Sequence, residues 1–498
     1  MDILRSSIPV ISKALKEKKI SCRELTDFYL KRIKSNAKLN AYITVEGDSA
    51  LSAADKIDKK GFTAADSLLK GIPVALKDNF MVEGVKTTCA SKILDGYVAP
   101  YDGTAVKKLK INDAVIVGKT NMDEFAMGSS NENSCFGPVL NPWDNSKVAG
   151  GSSGGSAVSV SAGLSQIAYG TDTGGSVKLP ASYNGILALR PTFGRISRYG
   201  IVAFGSSLDQ IGPMARNVED LAIAYDAVSG FDEDDVTTSP RRSASVYDYL
   251  LKNVAGKEGS FSKYTIGIPA VAHAGTSSTG VDPEVTRSMD GVIEVLKKLG
   301  FKFKDISLPH SKYALDVYYI ISPGEVSSNL SRFDGVRYGF RAKDYKDLDS
   351  LYGLTRGNGF GDEVKRRIML GTFVLSAGYY DAYFAKAAKV RTLVRQDFER
   401  AFTECDIIMY PTAPTTAFKL GEQTKDPLTM YLNDLFTIPS SLAAVPSLSF
   451  PSGLSSKGLP IGMQLIAKHF DEEKLFTLAW ILQKENPDWF NNIADGAK

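Results

Sequence analysis

Histidine is almost missing from this chain, with 3 in 498 residues. A nucleophile that relies on imidazole has only His273, His310 and His469 to draw on. Cysteine is scarce too: the four at 22, 89, 135 and 405 form no Cys-x-x-Cys pair. They are too scattered for a disulfide framework, which fits a reducing compartment and suggests no metal site. Nowhere do 18 apolar residues run uninterrupted, and the opening Met-Asp-Ile-Leu-Arg-Ser-Ser leads into charged helical sequence rather than an apolar leader. The chain therefore reads as soluble and cytoplasmic. A net charge of +3 is too small for an electrostatic nucleic-acid footprint, so any such contact must be local or made by a partner. There is no tandem repeat of fixed period. A phosphate-binding P-loop is also lacking, because Asp113 stands where Gly118-Lys119-Thr120 would need a glycine.

What is present is ordinary globular material, 43% hydrophobic and 23% charged, long enough for a substantial core. Its organising stretch runs from Gly150 to Ser176, opening Gly-Gly-Ser-Ser-Gly-Gly-Ser and closing Thr171-Asp-Thr-Gly-Gly-Ser176. Glycines leave backbone N–H groups unobstructed, so Ser176 beside Gly174 and Gly175 is suited to meet a carbonyl among donors. The letters 150–156 alone also suit a flexible linker. Against this, residues 157–162 read as a helix continuing from the glycines, and 166–169 as a short buried strand. Gly151-Ser-Ser153-Gly-Gly155 also matches the nucleophile elbow of α/β-hydrolases, which requires a downstream carboxylate and histidine.

A base other than histidine is offered by Gly71-Ile-Pro-Val-Ala-Leu-Lys77, where a lysine ends an apolar strand-like run. Lysine is a poor base at its reference pKa of about 10.4, so burial must lower it. Val74 and Leu76 favour that burial, and strand alternation points Asp78 to the opposite face. Lys77, Gly-Gly-Ser152-Ser-Gly-Gly and Gly-Thr-Asp172-Thr-Gly-Gly-Ser176, in that order, resemble the amidase signature family. Segments beginning at Asp123, Gly194, Ser207, Val364 and Met430 narrow the resemblance to the A subunits of glutamyl-tRNA(Gln) amidotransferases, over nearly the whole chain. There are departures: Lys178 stands where arginine is usual, Asn184-Gly185 replaces a Cys-Gly pair, and Arg190-Pro-Thr replaces Lys-Pro-Thr. Lysine lacks arginine's planar fork, which bears on how the loop is supported.

The resemblance implies a Ser-Ser-Lys triad: Ser176 as nucleophile, Ser152 as proton bridge held by a cis peptide, and Lys77 as base. Thr173, Gly174 and Gly175 would supply oxyanion donors, with Ser153 and Asp172 in support; Asp172 also reads as a turn cap. Glutamine is the implied substrate, with Arg367 for its carboxylate, Asp434 for its ammonium group, and Met127 and Tyr318 lining the pocket. An exposed helix charge is the plainer reading of Arg367, and a turn residue that of Asp434. Implied partners are the B and C subunits of a heterotrimer. ATP and Mg would belong to the partner that holds misacylated Glu-tRNA(Gln), with Asp-tRNA(Asn) a further acceptor, and no cofactor is expected in this chain. The alternatives are a free-standing amidase acting on a small amide and an assembly subunit without catalysis; the intact Lys77, Ser152 and Ser176 argue against the latter.

The expected fold is α/β: a single large domain over 1–498, with a mixed sheet covered by helices on both faces. Residues 1–70 read as an N-terminal helical layer, with a capping box at Ser21-Cys-Arg-Glu24. Strands are expected at 72–76, 114–117, 166–169, 185–189, 264–268, 407–410, 447–450 and 461–466. Residues 229–263 read as a solvated excursion around a short helix at 246–251. A helix begins at Asp282-Pro-Glu and stops at Gly300; 313–405 is a helical excursion, and 472–484 a covering helix.

Overall fold

The computed structural model describes residues 2–241, 244–269, 280–424 and 426–494. Eleven strands form one sheet. They are β1 Tyr42–Val45, β2 Pro73–Lys77, β3 Val115–Thr120, β4 Ile167–Asp172, β5 Leu187–Arg190, β6 Gln210–Ala215, β7 Thr265–Pro269, β8 Lys302–Ile306, β9 Ile407–Pro411, β10 Ser447–Leu454 and β11 Pro460–Ile466. Their spatial order is β1-β3-β2-β4-β6-β5-β10-β11-β9-β7-β8. The pairs β2–β3, β2–β4, β7–β8 and β7–β9 are parallel and the others antiparallel. The sheet is therefore mixed, as expected. Every residue of β2, β4, β5, β6, β9 and β11 is buried, so these strands have both faces covered.

Local signals carry over well. Ser21 and Glu24 form the reciprocal capping box that starts the helix Cys22–Ser35. The helix Pro283–Lys298 is capped by Asp282, buries Val285, Met289, Val292, Ile293 and Leu296, and is followed by Gly300 at φ +88°. Four α-helices, from Ala314–Asn329 to Lys386–Ala401, build most of the helical excursion.

Two regional readings need correction. The N-terminal layer is not purely helical, because β1 pairs antiparallel with β3 at the sheet edge. The aspartates after residue 229 are not simply solvated either: Asp232 accepts from Thr104 (2.6 Å) and Ser197 (2.5 Å), and buried Asp235 accepts from the Arg198 N–H (2.8 Å). Hydroxyls and amides of earlier segments thus fasten this loop, and the charges serve as acceptors rather than as a water-facing surface.

Candidate active site

Because β2 and β4 run parallel, with Leu76 opposite Tyr169, their carboxyl ends lie side by side and Lys77 and Asp172 open onto the same region. Ligands of open α/β sheets collect at such strand ends. Lys77 is fully buried, and its Nζ donates to Ser152 Oγ (2.7 Å), Ser153 Oγ (2.8 Å) and the Thr171 carbonyl (3.4 Å). Burial pulls its ammonium down to about 7 against the opposing charges of Asp123, Asp172 and Asp209. Asp78 points away, as strand alternation predicts, and is paired with Lys119 instead.

The serines are held by backbone. The Gly151–Ser152 peptide is cis, and the Ser153 N–H donates to the Ser176 carbonyl (3.1 Å), which binds the two motif loops together. Only glycine fits at 151, where a Cβ would come within 1.9 Å of Asp123 Oδ2. Ser152 and Ser153 are fully buried, whereas Ser176 keeps 7% of its surface exposed. Lysine, first serine and second serine are therefore stacked from the interior toward the opening. Among the described residues no acceptor meets the N–H of Thr173, Gly174, Gly175 or Ser176, so these four donors are free to face an incoming carbonyl.

The elbow reading finds no support among the described residues. Ser153 is committed to Lys77 and to both backbone groups of Thr171, and no histidine bonds to it. His310 Nδ1 lies 2.9 Å from Asp397, and His469 is a half-buried ring whose pKa burial depresses. His273 lies outside the described residues.

Asp172 does cap a turn, accepting from the Val177 N–H (3.0 Å), and it also accepts from Arg190 Nη1 (2.9 Å). Burial alone would raise its pKa, but Lys178, Arg190 and this N–H together hold the carboxyl below its usual value.

On the other side of the loop, the Tyr318 ring closes on Gly174, where a Cβ would fall 2.7 Å from the ring. Its neighbour Tyr319 donates to Asp434 Oδ2 (3.4 Å), to which Ser129 also donates (2.6 Å). Arg367 lies over Tyr319 and Tyr431, with its guanidinium 5.2 and 5.4 Å from the ring centroids. Neither charged residue is the exposed group its plainer reading suggested: Arg367 is 3% and Asp434 7% exposed. Arg366 takes the solvent-facing position instead. Burial lifts Asp434 to about 7 despite the Ser129 bond and the Arg367 charge. Met127 is fully buried, and its carbonyl accepts from Asn133 (3.2 Å).

The sequence reading missed three groups that complete this arrangement. Glu363 accepts from Arg367 Nε (2.7 Å) and the Tyr431 hydroxyl (3.0 Å), an i, i+4 pair that helical spacing could have flagged. Tyr319 and Ser129 carried no motif of their own. Among the described residues no group of three or more His, Cys, Asp or Glu side chains could hold a metal ion, and no helix is long and apolar enough to cross a membrane.

The family model Amidase matches residues 24–476. The A subunit of glutamyl-tRNA(Gln) amidotransferase from Geobacter sp. (strain M21) is 49% identical over 486 residues, covering 97% of this chain and 98% of that protein. Its counterpart in Clostridium botulinum (strain Loch Maree / Type A3) is 48% identical over 497 residues, 99% and 100% of the two chains. The crystal structure of the corresponding Thermotoga maritima protein superposes with a TM-score of 0.81 at 39% identity, covering 100% of this chain and 99% of the other. The motif order, the sheet and these full-length likenesses agree: the chain belongs to the amidase family, among the glutamyl-tRNA(Gln) amidotransferase A subunits.

Proposed function

We propose that this chain is the glutaminase subunit of a tRNA-dependent amidotransferase, hydrolysing glutamine to glutamate and supplying ammonia to a partner subunit. The observation that carries the reading is the juxtaposition of the Lys77–Ser152 hydrogen bond with two buried charges, Arg367 and Asp434, across the Gly174–Tyr318 contact. A neutral lysine suits proton transfer. An unattached amino acid needs a cation for its carboxylate and an anion for its ammonium group, and an arginine fork suits the former.

In this reading neutral Lys77 takes the proton of Ser152 as Ser152 takes that of Ser176. Ser176 Oγ then attacks the side-chain carbonyl carbon of glutamine. The carbonyl oxygen gains the charge and is met by the N–H groups of Thr173 to Ser176. The C–N bond breaks, the proton returns through Ser152 to the departing ammonia, and water releases glutamate from Ser176. Ser153 and Asp172 support the two loops, and Met127 and Tyr318 bound the pocket.

The names of the relatives support B and C subunits as partners, with misacylated Glu-tRNA(Gln) held by the B subunit together with ATP and Mg. The setting is the cytoplasm. The test is Ser176→Ala, with ammonia release from glutamine measured with and without co-purified partners. Loss of a covalent nucleophile leaves less than a tenth of the activity and an unchanged melting curve; retention of more overturns the assignment.

A further inference from the structure

Two cations bracket one buried carboxylate beside the nucleophile loop. Arg190 approaches Asp172 from β5: its Nη1 donates to both the carboxylate and the backbone carbonyl of Asp172, and Nη2 donates to the Leu208 carbonyl (2.6 Å). Lys178 lies on the other side, two residues after Ser176. Its ammonium donates to the Thr437 carbonyl (2.9 Å), Ser440 Oγ (2.9 Å) and Ser441 Oγ (3.3 Å). Ser441 Oγ in turn donates to Asp172 Oδ1 (3.4 Å).

Thr437 joins this network to the substrate side. Its N–H (3.1 Å) and hydroxyl (3.2 Å) donate to the Asp434 carbonyl, and a Cβ on Gly175, at φ +152°, would lie 2.1 Å from its Oγ1. An unbroken series of contacts thus runs from Arg190 through Asp172, Ser441, Lys178 and Thr437 to Asp434.

The two cations are suited to different tasks. Arg190 must reach oxygens in two directions, on the end of β4 and on the approach to β6, which a planar fork does and a point charge does not. Lys178 faces three oxygens clustered about one point, in a fully buried site with no room for a guanidinium. These are also positions where the chain departs from the pattern it resembles, in opposite senses: lysine for arginine at 178 and arginine for lysine at 190. Volume and charge are kept across the pair but at neither position alone.

We propose that Lys178 and Arg190 are coupled positioning residues: Arg190 fixes Asp172 and with it the Ser176 loop, and Lys178 fastens the Asp434 segment to that loop, so that nucleophile and ammonium site keep a set spacing. This rests on the roles proposed above for Ser176 and Asp434.

Two readouts test it on the full chain: the rate at which phenylmethanesulfonyl fluoride sulfonylates Ser176, and kcat and KM for glutamine. Lys178→Arg and Arg190→Lys should each slow sulfonylation about tenfold or more, the scale of a lost hydrogen bond to a charged group. The K178R/R190K double variant should return to within about threefold of the parent, as for residues sharing one network. Arg190→Met should fall mainly on sulfonylation and kcat, and Lys178→Met mainly on KM for glutamine, a split that general loosening of the fold would not give. Single losses that multiply in the double variant, unchanged single variants, or equal effects of the two Met variants on both readouts would each overturn the proposal. If a single variant does not fold, Ser441→Ala replaces it, since it removes only the hydroxyl between Lys178 and Asp172; slowed sulfonylation supports the coupling and a parental rate overturns it. A parent that is sulfonylated at Ser176 yet releases no ammonia from glutamine would sink the functional reading, while the sulfonylation rates still decide this one.

Discussion

Asp78 Oδ1 lies 3.1 Å from Lys119 Nζ, and both side chains are fully buried, so the carboxylate that follows Lys77 in the chain is committed to a lysine of the neighbouring strand. Asp78 also accepts from the N–H (2.9 Å) and hydroxyl (2.5 Å) of Thr88. One carboxylate fewer then favours the charged form of Lys77. Lys119→Met leaves Asp78 buried with its charge unpaired, and breaking a buried pair in this way costs about 3–5 kcal/mol. Urea unfolding should show that loss, with part of it recovered in Asp78→Asn/Lys119→Met. A variant as stable as the parent would mean the pair is structurally idle.

The pH dependence should separate two groups. Lys77 works only when neutral, and burial places its pKa at about 7; Asp434, lifted by burial to about 7, must be ionised to hold an ammonium group. Both forms are lost as pH falls through that value. For glutamine the acid limb of log kcat/KM should therefore approach a slope of about two, and for an uncharged aliphatic amide about one, since only Lys77 then counts. A glutamine profile flat from about pH 6 to 8 contradicts the assignment of Lys77. Stability follows the same titration: the unfolded chain binds the Lys77 proton up to its ordinary pKa of about 10.4, so this group's contribution to stability rises with pH between about 7 and 10.4. Lys77→Met should remove that rise.

Most of the sheet was legible because buried strands are short apolar runs bounded by turns. The three unread strands each hide that signature. β8 is an edge strand, Lys302-Phe-Lys-Asp-Ile, with most of its residues facing water. β1 is four residues long and none is fully buried. β6 carries Gly212 and Pro213, which read as a turn; Pro213 is accommodated because pairing with β5 involves only Met214 and Ala215. Missing β6 also shortened β4, whose ladder continues to Asp172 opposite Gln210. In the site, the contact of Lys77 with Ser152 followed from the motifs. The depth of Arg367 did not, because Lys365-Arg366-Arg367 offers three successive cations and packing alone decides which one turns inward.

Histidine should prove dispensable. Replacing His310 or His469 by Asn should leave kcat/KM within about threefold of the parent, a change of under ~1 kcal/mol in barrier. Lys77→Ala should be nearly inactive in the same ammonia-release assay. An essential histidine beside a dispensable Lys77 would restore the elbow at Ser153.

Substrate choice should lie in Arg367 and Asp434. Both are buried, yet the ion pair of Arg367 is with Glu363, and Asp434 is held by hydroxyls of Ser129 and Tyr319, so each keeps a charge for the ligand. Truncating one partner of a desolvated charge pair costs about 2–5 kcal/mol. Arg367→Ala and Asp434→Ala should therefore each lower kcat/KM for glutamine by roughly 30-fold to several thousandfold. Glu363→Gln keeps the shape but frees the Arg367 guanidinium to turn; its effect should be smaller, about tenfold, and should fall on KM. Hydrolysis of a simple aliphatic amide should be hurt far less by all three, because that substrate has neither charge. Equal losses on glutamine and on the uncharged amide would mean these residues support the fold, and a free-standing amidase acting on small amides would become the better reading of the same Lys77–Ser152–Ser176 arrangement.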